Sequence, residues 1–333
     1  MQPSSGQPSL YALLRDERLL AYPPAWTSRH LDMVGCRFQD TSTSPPVSDP
    51  DERIESQILS GSSYRAKSLA IASSPLSKIC HLSNLLSHEG SSFQSYRHYY
   101  DWRNARIPFW FDRKAIDKPQ CVIYKRRRQA TQPKYCAAEP LIGFTTYSDI
   151  KSARQRFYDA PSHPGGGCNA PGGSLCRIKL RKITPEDWTS DPYFVCILLS
   201  LMQLHRQLLK DPHVTTFTSR LLVANDLEPE FIHLYEARVS SIFLEMLDRP
   251  NTTMSMAWPI IQRKRIPFKP YDTFRHRLVA ELLEPSTPYD CDSLREQGAV
   301  ITKTVKRQHD AKSDHERMVK QKLGDCSILT AQS

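Results

Sequence analysis

The chain has 333 residues, of which 39% are hydrophobic, and this length suits one large domain or two small ones. Its 25 prolines in 333 residues are a larger share than the usual one of about 5%. This composition indicates a folded core that is diluted by segments outside the core. The formal net charge of +10 is compatible with nucleic acid, anionic lipid or acidic protein as partners, and it does not choose among them.

Neither a membrane span nor a secretory signal is visible in the sequence. The longest apolar run, PYFVCILLSLMQL (192–204), is shorter than the roughly 20 residues that a bilayer requires. The N-terminus lacks the basic and apolar regions of a signal peptide. Nine scattered cysteines without a CxxC pair are typical of free thiols in a reducing compartment. These patterns predict an intracellular protein of the cytoplasm or nucleus, with no membrane partner.

The N-terminal region is predicted to be largely disordered over residues 1–62. Its stretch TSTSPPVSDPDE (41–52) cannot bury enough surface to offset the entropy of ordering. A helical pattern broken at Pro75 then begins a core domain predicted over 66–290. Within this domain PFWF, CVIYK and LIGFTTY are typical of strands, because they are rich in aromatic and β-branched residues. Asp149 is predicted to cap the helix that follows.

A flexible loop and the central helix are predicted next. The Gly- and Pro-rich segment 160–174 is typical of a flexible connection, and the alternating CRIKLRKI (176–183) is typical of a strand. Asp191 and Pro192 predict the start of a helix that ends near Lys210. Because this helix is apolar nearly all round, we expect it to be covered on most sides.

The rest of the core is predicted to alternate between strands and helices. It is a hairpin of two strands, a short helix, a third strand and an amphipathic helix, at 215–223, 231–239, 240–248, 260–268 and 273–284. Pro267 places the third of these strands at a sheet edge. The sequence therefore predicts an α+β fold with a mixed or antiparallel sheet, flanking helices and disordered termini, the polar and basic tail 298–333 among them.

One glycine-rich segment has almost the spacing of a phosphate-binding loop. Gly167, Gly172, Gly173 and Ser174 approach the pattern GxxxxGK[ST], but Gly173 stands where the lysine is needed. The pattern also requires a helix after the loop, whereas a strand is predicted there. No nucleotide or other cofactor is therefore predicted.

The order helix, hairpin, helix and strand over 192–268 loosely resembles the core of PD-(D/E)xK nucleases. Such a site needs acidic Mg²⁺ ligands and a lysine near the attacking water. The nearest match is Asp226 with Glu236-Ala237-Arg238. Arginine cannot give up its proton in the lysine's place, so a divergent fold of this type stays an alternative only.

Other catalytic and metal patterns are absent from the sequence. There is no G-x-S-x-G elbow and no cysteine signature beside a candidate base. One region concentrates possible metal ligands, which are Cys121, Cys136, His163, Cys168 and Cys176. Their spacing fits no zinc finger, so we predict no catalytic residue and no metal ligand.

The segment 97–128 is the best candidate for a binding surface. It holds ten basic and three acidic residues, with aromatic residues between them. Basic charge tracks phosphates and aromatic rings stack on bases. Lys125, Arg126, Arg127 and Arg128 are therefore the candidate nucleic-acid-binding residues, with a nuclear-import patch as the alternative.

Three segments carry a resemblance to other proteins. They are DPYFVCILLSLMQLHRQ, LYEARVSSIFLEMLDRP and RIPFKP, within residues 191–284. In them the chain resembles a group of uncharacterised filamentous-fungal proteins with no assigned activity. The resemblance implies a fungal, intracellular origin and carries over no catalytic residue.

These observations favour a non-catalytic binding or scaffold module whose partner the sequence leaves unidentified. The alternatives are a nucleic-acid-binding protein and a divergent PD-(D/E)xK-like nuclease. A deep concave pocket that gathers acidic or histidine side chains from several elements would favour an enzyme instead and overturn this ranking. An exposed apolar or charged patch would favour a binding module.

Overall fold

The computed structural model describes most of the chain between residues 22 and 284. The described residues are 22–41, 56–88, 90–96, 106–127, 139–160, 162–163, 165–167, 169–209, 211, 213–250 and 258–284. Predictions for residues 1–21, 42–55 and 285–333, which include the C-terminal tail, lie outside them.

Eight α-helices and nine strands form in the described part of the chain. The helices are α1 (Ser28–Val34), α2 (Ser56–Ile71), α3 (Pro75–Leu86), α4 (Tyr147–Phe157), α5 (Ala170–Ile183), α6 (Tyr193–Leu209), α7 (Ser241–Asp248) and α8 (Phe274–Leu283). The strands are β1 (Arg37–Asp40), β2 (Phe93–Ser95), β3 (Phe109–Phe111), β4 (Lys114–Asp117), β5 (Val122–Arg126), β6 (Leu141–Thr146), β7 (Thr216–Ala224), β8 (Phe231–Ser240) and β9 (Ile260–Pro267).

A mixed sheet of seven strands is the centre of the fold. Its order is β1-β9-β8-β7-β6-β5-β2, and β3 and β4 form a separate hairpin. The pairs β1–β9 and β6–β7 are parallel, whereas the other pairs in this sheet are antiparallel. The predicted α+β class and mixed sheet are confirmed.

Helices cover both faces of this sheet. Helix α6 packs on one face, where Leu221 and Val223 of β7 belong to its cluster of buried residues. Helices α2, α3 and α8 cover the other face, which carries Leu222 and Ala224. Because side chains alternate along a strand, a central strand is apolar on both faces, and all six residues of β6 are buried.

Glycine at position 143 allows α6 to lie close to the sheet. A Cβ atom at Gly143 would lie 2.6 Å from Cys121 Sγ and 2.8 Å from Leu201 Cδ1. Every residue of α6 from Tyr193 to Gln203 is buried, as its all-round apolar surface predicts. Asp191 lies at its N-terminus, where Oδ1 accepts the N–H of Tyr193 at 2.9 Å.

The core starts earlier in the chain than predicted. Trp26, Leu31 and Cys36 are buried in the cluster around α6, although they fall in the region 1–62 that was expected to be disordered. Strand β1 follows them and pairs with β9. Composition alone does not predict that this segment is ordered, because its few apolar residues become buried only against a sheet formed by distant strands.

Strand β9 lies inside the sheet, which corrects the predicted edge position. It pairs with β8 on one side and with β1 on the other. Pro267 is its last residue, so the missing N–H interrupts no hydrogen bond within the strand.

The segment 176–183 is helical, not a strand. It belongs to α5, which begins inside the predicted loop 160–174 and is capped by the Asn169 side chain, whose oxygen accepts the Gly172 N–H at 2.9 Å. Cys176, Leu180 and Ile183 are spaced for one face of a helix, and Ile183 is buried. The alternation that suggested a strand comes from Cys176, Ile178 and Leu180, of which Ile178 is 54% exposed on the helix.

Histidine 205, on α6, makes folding stability depend on pH. Its side chain is 4% exposed, its Nδ1 has no hydrogen-bond partner, and burial lowers its pKa to about 4. The unfolded chain binds a proton near the ordinary pKa of about 6.5, so this histidine's contribution is complete above that pH and is lost as the pH falls toward 4. Between pH 7.5 and pH 5 we expect a loss of about 2 kcal/mol in the free energy of unfolding from this group.

Urea unfolding of the His205→Leu variant at these two pH values tests this expectation. The variant should lose that part of the pH dependence, whereas the exposed His213→Gln control should keep it. His233, whose pKa burial also lowers, remains in both proteins. If His205→Leu has the same pH dependence as the parent, protonation of His205 does not lower the free energy of unfolding, and the expectation is wrong.

Candidate ligand pocket

A cavity of about 410 Å³ opens beside the carboxyl end of β6. Its walls come from Tyr22 and Pro24, from Arg106, from β4 and the residues after it to Gln120, from the end of β6 with helix α4, and from the first residue of α6. The volume lies in the range of small-molecule sites, about 300–1,000 Å³. Five separate parts of the chain therefore meet at one concave surface.

A buried aspartate lines this pocket. Asp117 ends β4 and is 6% exposed. The hydroxyl of Tyr193 donates to its Oδ2 at 2.7 Å, and Tyr22 also hydrogen-bonds to this carboxylate. Two phenols thus hold the Asp117 side chain in place.

The two tyrosines remain protonated donors. Burial, with the charge of Asp117 as a second cause, raises the pKa of Tyr22 to about 12. The same two causes raise the pKa of Tyr193 well above its ordinary value. A carboxylate has about four acceptor positions, so Asp117 can accept further hydrogen bonds from a ligand.

A second carboxylate comes from the first turn of α4. Thr146 caps this helix: its Oγ1 accepts the N–H of Asp149 at 3.2 Å, and its hydroxyl donates to Asp149 Oδ2 at 2.9 Å. Thr146 therefore has the capping role that was predicted for Asp149. Burial raises the pKa of Asp149, while the Thr146 hydrogen bond and the charge of Arg156 act in the opposite direction.

Exposed basic side chains also line the pocket. Arg106, Lys118 and Arg156 line it and are exposed to solvent. The pocket is therefore lined by buried or partly buried carboxylates and by exposed cations, a combination that is complementary to a small molecule with both kinds of charge.

A buried ion pair joins three of the segments that form the pocket. Arg154 of α4 is 2% exposed and donates from Nη1 and Nη2 to the two oxygens of Asp191, at 2.5 and 2.6 Å. Its Nε donates to the carbonyl of Pro24 at 2.9 Å, and the Tyr147 hydroxyl donates to Asp191 at 3.1 Å. These bonds connect α4, the start of α6 and the N-terminal segment.

The predicted nucleic-acid-binding residues that are described lie elsewhere, at the end of β5 and just after it, beside the edge strand β2. Lys125 Nζ is 5.5 Å from the centre of the Tyr96 ring, and Arg126 Nη1 is 3.1 Å from Glu139 Oε1. Arg127 Nε donates to the carbonyl of Phe93 at 3.1 Å. Arg128 lies outside the described residues. Nucleic-acid binding here stays a prediction, and all three described side chains already have partners within the fold.

The candidate nuclease residues are not brought together. The Glu236 carboxylate accepts from Arg220 Nε at 2.5 Å, and these residues are register partners on β8 and β7. Asp226 follows the end of β7, where its Oδ1 is 3.5 Å from Lys78 Nζ. Ala224, at that end, is four positions beyond Arg220, which is about 13 Å along a strand.

The glycine-rich segment forms no phosphate site, and Cys136 and Cys168 of the candidate metal ligands lie outside the described residues. Gly172, Gly173 and Ser174 lie within α5 and not in a loop before it, so the amide groups do not surround a phosphate. Within the described ranges, no three His, Cys, Asp or Glu side chains converge in a group that could hold a metal ion. In that same part of the chain no helix has the length and apolar character needed to cross a bilayer.

Sequence reasoning missed the pocket because its residues share no spacing pattern. Asp117 was counted only as an acidic residue within a basic segment, and Tyr22 falls in the region that was expected to be disordered. Comparison with protein-family models gave no match, and no curated protein matches the chain. The pocket is therefore interpreted from its own chemistry.

Proposed function

We propose that this protein is an intracellular, non-catalytic binding module whose ligand is a small molecule carrying both an amine and an acidic group. The observation that supports this proposal is the charge distribution of the pocket. An amine would donate to Asp117 and Asp149, and the acidic group would lie near Arg106, Lys118 and Arg156. Hydrogen bonds between charged groups are the stronger kind, and a partly enclosed site weakens them less than bulk water does.

Binding is favoured over catalysis by the state of the two tyrosines. A general base or nucleophile needs a pKa near the working pH, whereas burial raises the pKa values of Tyr22 and Tyr193. Both phenols act as donors toward Asp117, and Asp149 accepts a hydrogen bond from Thr146. These contacts hold the pocket in one shape, which suits recognition.

The intracellular setting is supported by the thiols. Cys36, Cys121, Cys176 and Cys196 form no disulfide. Free thiols of this number are usual in a reducing compartment.

Replacing Asp117 by asparagine should weaken ligand binding by about ten- to a hundredfold, because it removes a charged acceptor and keeps the side chain's shape. Thermal shift and calorimetry with O-phosphoethanolamine, glutamate and arginine measure the affinity. Ethanolamine and inorganic phosphate, which each carry one of the two groups of phosphoethanolamine, should bind more weakly. The matched control is Asp112→Asn, at an exposed position of the β3–β4 turn, and it should bind as the parent does.

Two results would contradict this proposal. One is that none of the three zwitterionic probes raises the melting temperature of the parent protein. The other is that a probe binds equally well to the Asp117→Asn variant, which would place its site outside the pocket.

A further inference from the structure

Helix α5 has an outer surface that the rest of the described fold does not cover. Leu175 and Ile178 are 53% and 54% exposed, although large aliphatic side chains are usually buried. They are three positions apart and therefore neighbours on one face of the helix. Two aliphatic side chains thus face solvent side by side.

Basic residues surround this aliphatic pair. Arg177, Lys179, Arg181 and Lys182 are exposed, and α5 contains no acidic residue. Lys179 follows Leu175 by four positions and Lys182 follows Ile178 by four, so each lysine lies beside one of the aliphatic residues. The arginines lie toward the other side of Ile178.

From this arrangement we propose that the outer face of α5 binds the surface of an anionic lipid bilayer. Apolar side chains flanked by lysine and arginine are what an interfacial helix uses: the aliphatic groups enter the boundary of the acyl chains and the basic groups meet the lipid phosphates and carboxylates. The long stems of lysine and arginine allow their charges to stay at headgroup level. Such a contact needs no spanning helix, and it goes beyond the prediction of no membrane partner, of which the structure bears out only that no described helix could cross a membrane.

A bilayer fits this surface better than the other anionic partners. A nucleic acid would use the four cations but not the two aliphatic side chains. A stable protein interface buries roughly 800 Å² on each partner, which is more than one face of a 14-residue helix offers without a groove. A planar membrane requires only a few inserted side chains together with charge attraction.

Flotation of the full chain with lipid vesicles tests the proposal. At low salt the protein should float with phosphatidylcholine vesicles that contain 30 mol% phosphatidylserine, about the charge density of an anionic leaflet. It should remain in solution with pure phosphatidylcholine, and added salt should release it. The variant Lys179→Gln/Lys182→Gln should lower the partition coefficient by at least about fivefold, because each basic residue contributes separately.

Matched controls separate this face from general surface charge. The exposed lysines Lys67 and Lys114 lie on α2 and β4 and not on α5. The double variant Lys67→Gln/Lys114→Gln removes the same charge, and its partition coefficient should stay within about twofold of the parent's. For the aliphatic pair, Leu175→Ser/Ile178→Ser should reduce binding, whereas Leu227→Ser, at an apolar side chain that is 79% exposed, should not.

Several outcomes would overturn the proposal. These are no flotation with anionic vesicles at low salt, equal losses in the two lysine variants, and unchanged binding in Leu175→Ser/Ile178→Ser. Binding of fluorescein-labelled polyglutamate without any binding to vesicles would instead assign the face to an acidic protein segment.

Discussion

Replacing Arg154 with methionine is expected to lower the free energy of unfolding by about 3–5 kcal/mol. The change removes both guanidinium bonds to Asp191, which is fully buried, and leaves its carboxylate without a counter-charge. The remaining Tyr193 N–H and Tyr147 hydroxyl satisfy part of this carboxylate but do not neutralise it. Urea unfolding measures the loss.

The control for Arg154 is its neighbour on the same helix. Arg156→Met makes the same chemical change at an exposed position and should alter the stability by less than about 0.5 kcal/mol. The double variant Arg154→Met/Asp191→Leu should recover part of the loss, since it removes the buried charge together with its partner. A loss below 1 kcal/mol (about fivefold in the folding equilibrium) in Arg154→Met would mean that the pair does not hold α4 against α6.

Placing aspartate at Leu198 should unfold the protein. Leu198 lies in the middle of α6 and is fully buried, so an ionised carboxylate there would have no partner and would cost several kcal/mol. Leu201→Asp, at a side chain that contacts the Gly143 position, should have the same result. Loss of the far-UV circular dichroism signal and of the cooperative melting transition would report it.

A second substitution in α6 shows whether burial causes this effect. Leu208 is 42% exposed near the end of the helix, and Leu208→Asp should leave a cooperative transition. The milder Leu198→Ala should remain folded with a loss of about 2–5 kcal/mol. A Leu198→Asp protein with the parent's melting curve would show that α6 is peripheral.

The sequence by itself determined the elements whose buried residues form a clear local pattern. The run from Tyr193 to Leu209 is apolar around nearly its whole circumference, so the sequence predicts a buried helix. Asp191 marks the start of this helix. The hairpin of β7 and β8 was equally clear, because turn residues separate two long apolar strands. In these cases the same residues carry both the local signal and the burial, so no distant contact was needed to interpret them.

Only the tertiary structure decided the elements whose local signal is weak or ambiguous. Strand β1 has exposed and partly exposed residues, and it is a strand because β9 offers it hydrogen bonds. The segment 176–183 fits both a helix and a strand over eight residues, and the cap at Asn169 together with the burial of Ile183 makes it a helix. The edge position predicted for β9 was wrong for the same reason, since its second neighbour comes from more than 200 residues earlier in the chain.

The pocket likewise depends on long-range contacts. Tyr22, Asp117, Asp149 and Tyr193 are unremarkable in sequence, and each is consistent with a surface or core position. They meet because β6 ends beside the start of α6 and because Arg154 binds both Asp191 and Pro24. A site formed by single residues from separate elements leaves no spacing pattern, so its charge distribution became visible only when the chain was folded.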